Sequence, residues 1–156
     1  MSKAFSVLIA EDDEGHATLV RRHLKRAGLS AEPVHVRDGQ ELLDYVYRRA
    51  SWTMRDVHDG MAMIVDLNMP RLGGMEVLRQ LKADRAVSHI PVFVLTTTDS
   101  PAEIDRCYAL GAAACLVKPV DYGAFAEVVQ RLAEFLMISH LPSEPAAPTP
   151  PVNNDR

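Results

Sequence analysis

Four short stretches carry residue types that could do chemistry if the fold gathered them: Glu11-Asp12-Asp13, Asp66, Thr96-Thr97-Thr98 and Lys118. Carboxylates crowded into one place repel, and one of them takes up a proton unless a cation intervenes. An all-oxygen donor set of this kind suits Mg²⁺, which binds through a few carboxylates and keeps several waters. An Asp beside such an ion can itself be a nucleophile, giving an aspartyl phosphate. A threonine hydroxyl would then donate to a phosphoryl oxygen, and a lysine ammonium would neutralise its charge as a point charge. Taken singly, none of these residues means much. A lone Asp at a strand end turns the chain, and a lone Lys is a surface lysine.

Hydrophobic patterning argues that they are not separate. Residues 5–10 (FSVLIA), 32–36, 61–66, 91–96 and 113–117 read as strands, and 61–65 (MAMIV) is an unbroken apolar run of the kind buried on both faces. Between them, apolar residues recur at helical spacing: Ala17, Val20 and Leu24; Leu42, Leu43 and Val46; Met75, Leu78 and Leu81; Ile104, Tyr108 and Leu110; and Phe125, Val129, Leu132 and Leu136. Gly28 and Gly111 close two of these helices, and Pro101 opens one. Alternating strands and helices imply an α/β protein with a doubly wound, five-stranded parallel sheet, flavodoxin-like strand order 2-1-3-4-5 and helices on both faces. Such sheets bind ligands at the carboxyl ends of their strands. On this topology strands one, three, four and five end in the four stretches.

The motifs AEDD (10–13), VDLNMPRLGGMEVL (65–78), VLTT (94–97) and LVKP (116–119) stand in this order at those strand ends. Over residues 5 to about 138 the chain resembles a response-regulator receiver domain. The resemblance implies that Asp66 is the phospho-acceptor and that Thr96 and Lys118 contact the phosphoryl group. It implies a Mg²⁺ site of Glu11, Asp12, Asp66 and Asn68, in which Asp12 is a direct ligand, Glu11 acts through water and Asn68 offers its backbone carbonyl. It also implies a cis peptide before Pro119. Many receivers carry an aromatic switch residue three positions before the lysine; here that position is Cys115, read as a small buried apolar residue. Asp13 reads as a solvated helix-start residue, and Tyr45 and Tyr47 as packing residues. The long polar loop at 51–60 and the phrase DLNMP resemble single-domain receivers that pair with phytochrome-type histidine kinases. A sensor histidine kinase is therefore the expected partner.

The rest of the chain bounds the reading. At 156 residues and net charge −4, with acids and bases interleaved, nothing suggests a DNA-binding stripe. No apolar run approaches membrane-spanning length, and two cysteines without metal-site spacing suit a cytoplasmic protein. The six histidines are scattered, and each reads as surface or local structure. A domain over 1–138 and a proline-rich tail over 139–156 are expected, with residues 139–151 as an arm lying across a partner subunit. The resemblance to phytochrome-linked single-domain receivers implies a homodimer, which the last helix, apolar on more than one face at Phe135, Leu136, Met137 and Ile138, would suit. An enzyme of the phosphatase or dehalogenase type would want a second acid at position 68, where Asn68 stands. A flavin module would want a phosphate-cradling loop where Glu11-Asp12-Asp13 would repel it. A receiver fold acting as a docking module without phosphorylation is the alternative left open.

Overall fold

A computed structural model describes residues 5–145 of the chain. Five strands, β1 (Ser6–Ala10), β2 (Val34–Val36), β3 (Met61–Val65), β4 (Val92–Thr96) and β5 (Ala114–Val117), form one parallel sheet in the order β2-β1-β3-β4-β5. The helices are α1 (Glu14–Ala27), α2 (Gly39–Val46), α3 (Gly74–Ala83), α4 (Pro101–Leu110) and α5 (Tyr122–Ile138), with a 3₁₀ turn at Ala50–Trp52. This is the expected fold class and strand order. The expected second strand loses its first two residues, because Pro33 has no N–H to give the ladder.

Successive side chains along a strand point to opposite faces, and each face here has its own core. Val7, Ile9, Ala62, Ile64, Phe93 and Leu95 meet α1 and α5 on one side. Leu8, Ala10, Met63, Val65, Val92 and Val94 meet α2, α3 and Cys107 of α4 on the other. β1, β3 and β4 are buried throughout, which explains their continuous apolar runs.

The segment after α5 is held by the chain itself. Residues 139–145 pack on the chain's own domain. The Met61 N–H donates to Pro142 O at 3.1 Å, the Glu144 N–H to His58 O at 3.1 Å, and Leu141 joins the α1/α5 core. Glu144 forms a buried ion pair with Arg55, from the loop that reads as merely polar. Sequence gave no hint of that pair, since its partners lie 89 positions apart. The remainder of the expected arm, 146–151, lies outside the described residues.

Candidate functional site

At the carboxyl end of the sheet, ladder hydrogen bonds continue past the strands and fix the backbone of the charged residues. The Glu11 N–H donates to Val36 O at 3.0 Å, the Asp66 N–H to Ala10 O at 3.0 Å, and the Lys118 N–H to Thr96 O at 2.6 Å. Asp66 and Thr96 leave adjacent strands nearly level, since Val65 pairs with Val94. Gly74 lets the chain after Asp66 fold back: a Cβ there would stand 2.2 Å from the Asp66 carbonyl oxygen, while its N–H donates to Leu67 O at 3.0 Å. Arg71 ties the same loop to α2 by two hydrogen bonds to the Asp38 carboxylate, at 2.9 and 3.0 Å.

Glu11, Asp12 and Asp66 come together, each with a carboxylate oxygen within 4.8 Å of the others. Glu11 and Asp66 are buried and Asp12 is exposed at the mouth. Lys118 lies beneath them, with only 2% of its side chain exposed, and its Nζ donates to Glu11 Oε2 at 2.5 Å and Asp66 Oδ2 at 3.3 Å. Its third contact is His16 Nδ1 at 3.1 Å. One lysine does not neutralise three acids. Burial, reinforced by the Asp66 charge and opposed by Lys118, pushes the Glu11 carboxyl up to about 7. A hard divalent cation with oxygen ligands is the species that would relieve this shortage of positive charge, so the donor set fits Mg²⁺.

The other expected residues are placed as follows. The Asn68 N–H donates to Asp66 Oδ1 at 3.2 Å, so its backbone lies against the acceptor carboxylate. Thr96 is fully buried, and its hydroxyl accepts the Thr98 N–H at 3.3 Å. Thr97 is exposed, and Thr98 bonds Glu103 in α4. Asp13 is the N-cap of α1, accepting the His16 N–H at 3.0 Å. Cys115 is partly buried, and burial pushes its thiol up. Tyr45 and Tyr47 do more than pack: their hydroxyls reach His58 at 2.8 Å and Asp84 at 2.5 Å.

One expectation fails here, and one histidine makes a contact that local spacing does not suggest. No peptide bond among the described residues is cis, so Pro119 follows a trans bond, the ordinary form even before proline. His16, one of the six histidines that read as surface or local structure, lies half-buried against Lys118, with its ring edge-on to Phe125 at 5.0 Å. Position supplied the one clue to it, on the first turn of the helix that follows the acids. Contact with a lysine 102 residues away is a product of the fold alone.

The chain matches the family of response regulator receiver domains over residues 7–130. It is 31% identical over 137 residues to a probable methanogenesis regulatory protein, FilR2, of Methanothrix harundinacea, covering 84% of this chain and 83% of that one. Among solved structures, a response regulator in red light signaling of R. palustris is 35% identical with a TM-score of 0.75, over 88% of this chain and 97% of that one. The phosphorylated cyanobacterial phytochrome response regulator RcpA is 28% identical with a TM-score of 0.83, over 90% and 100%. The Mn²⁺-bound response regulator Rcp1 is 26% identical with a TM-score of 0.83, over 88% and 99%.

Proposed function

The chain belongs to the response regulator receiver family of two-component signalling, and from that premise we propose that Asp66 accepts a phosphoryl group from a sensor histidine kinase. Receiver domains bind Mg²⁺ or Mn²⁺ at an acidic pocket, and Glu11, Asp12 and Asp66, with the backbone carbonyl of Asn68, are the residues that would hold the ion here. Bound there, the ion supplies charge neutralisation for an incoming phosphoryl group. The observation that carries the reading is the clustering of Glu11, Asp12 and Asp66 at a strand end, with Glu11 and Asp66 both bonded to one buried lysine.

The chain's own residues have few tasks, because phosphoryl transfer needs mainly positioning and charge compensation. Asp66 Oδ is the nucleophile. Lys118 already faces Asp66 Oδ2 and is placed to meet a phosphoryl oxygen. Thr96 would exchange the Thr98 N–H for the phosphoryl group, and its hydroxyl would turn from acceptor to donor. That exchange frees the 97–98 segment, which is tied to α4 through Glu103. With Cys115 in place of an aromatic ring, the readout runs through this β4–α4 connection. The new O–P bond on Asp66 forms as the donor's bond to phosphorus breaks, and the chain's own chemistry is this self-phosphotransfer followed by autodephosphorylation. It acts in the cytoplasm, and among the described residues no helix is long and apolar enough to cross a membrane. The likeness to phytochrome response regulators supports a phytochrome-type kinase as the donor.

Incubation with acetyl phosphate and Mg²⁺, followed by intact-mass spectrometry, tests the reading. A gain of one phosphoryl group in the wild type and none in Asp66→Asn is expected; no gain in the wild type would favour the docking-module alternative. A second copy of the chain is the proposed partner at α5, where Phe135 and Ile138 are exposed. An apolar groove of about 470 Å³ between β5 and α5 supports this, lined by Phe93, Ala114, Leu116, Val128, Leu132 and Phe135. Phe135→Asp should turn a dimer into a monomer in light scattering.

A further inference from the structure

We propose that His16 is a positioning residue for phosphotransfer: its Nδ1 is the neutral acceptor that keeps Lys118 aimed at Asp66. The inference rests on the reading of Asp66 as the phospho-acceptor. An ammonium has three N–H donors and no acceptor, and Lys118 has three polar partners: Glu11 Oε2 at 2.5 Å, His16 Nδ1 at 3.1 Å and Asp66 Oδ2 at 3.3 Å. Because the lysine can only donate, Nδ1 must carry the lone pair and Nε2 the proton. That proton faces the Asp13 carboxylate, whose Oδ2 is 3.9 Å from Nε2. The ring is further held by its edge contact with Phe125, and the His16 backbone N–H by the Asp13 cap. Asp13, His16 and Phe125 thus orient one lone pair toward one lysine.

The three partners of Lys118 are not equivalent. Asp66 Oδ2 is the longest contact, and it belongs to the group that is itself modified. Glu11 belongs to the acidic cluster, so its carboxylate is shared between the lysine and any cation that the cluster takes up. Only His16 has no other claim on that lone pair, and being neutral it does not compete with a phosphoryl dianion for the ammonium's charge. Lys118 is almost fully buried, so without His16 one of its N–H groups would face Phe125, whose ring centroid lies 5.9 Å from Nζ, instead of an acceptor.

The test compares the wild type with His16→Leu, which removes the acceptor, and His16→Asn, whose Oδ1 can accept from nearly the same position as Nδ1. Three readouts apply: the rate of phosphorylation by acetyl phosphate, Mg²⁺ affinity by titration, and the Lys118 ammonium signal in ¹⁵N NMR without metal. His16→Leu should be phosphorylated about ten-fold more slowly, since it strips a hydrogen bond from a buried charge. It should lose the Lys118 ammonium signal and keep its Mg²⁺ affinity. His16→Asn should restore the signal and bring the rate to within about two- to three-fold of the wild type, the small change expected when a bond is replaced rather than removed. Wild-type rates in a folded His16→Leu, or an Asn variant as slow as Leu, would overturn the inference and leave Asp66 standing. A wild type that takes up no phosphoryl group would overturn both.

Discussion

The two ends of the sheet each bury an ion pair, and they satisfy it in opposite ways. At the amino end, Arg55 places all five of its N–H groups. Its Nε donates to Tyr45 O at 2.6 Å, one terminal nitrogen to Asp56 O and Glu144 Oε2, and the other to Val46 O and Glu144 Oε1. The guanidinium also sits 4.1 Å from the centre of the Tyr45 ring, and Glu144 takes the His58 N–H at 3.0 Å. At the carboxyl end, Glu11 and Asp66 share one lysine, Asp12 adds a third carboxylate beside them, and Glu11 is driven toward protonation. The closed pair holds the loop at 51–60 and the segment after α5 in place. The open one keeps a surplus of negative charge, which suits a cation and an incoming phosphoryl group. Charge that is fully partnered supports structure, and charge left short of partners is available for chemistry.

This contrast can be broken most sharply at the amino end. Glu144→Ala leaves Arg55 buried without its counter-charge, so a loss of about 3–5 kcal/mol in urea unfolding is expected. A loss near zero would mean that the closed pair contributes no more than a surface bridge. The carboxyl end should respond to pH instead. A carboxyl raised from 4.5 to about 7 stabilises the fold below its unfolded value, and that stability is lost as pH rises through 7. In EDTA the chain should therefore unfold more easily at pH 8 than at pH 4.5, with up to about 3 kcal/mol from Glu11. Glu11→Gln should flatten the difference and Mg²⁺ should reverse it. The smallest effect has the opposite sign from the first. Asp66→Asn relieves repulsion within the cluster, so it should stabilise the ion-free chain by about 1 kcal/mol while abolishing phosphorylation.

Much of the site was legible because period and position carry it. An unbroken apolar run ending in Asp66, and the order of the motifs around Glu11, Asp12, Thr96 and Lys118, place these residues at strand ends. Parallel pairing then brings strand ends together whatever the details of packing. Gly73-Gly74 signalled a loop, but the closeness of Gly74 to the Asp66 carbonyl was invisible, because it depends on where α3 docks. The same holds for His16, Arg55 and Glu144. Their roles are contacts between residues far apart in the chain, and nothing in local spacing encodes the partner.

The amino-acid sequence by itself determined the sheet, its order and the four strand-end groups, since alternation and helical period are local properties that propagate along the chain. Tertiary structure alone decided which charges are satisfied. It gave Arg55 every acceptor it can use, left the acids around Lys118 short of positive charge, and turned a histidine on the first turn of α1 toward the lysine. Those outcomes depend on distances of a few ångströms between segments that meet only when the cores on both faces of the sheet are packed.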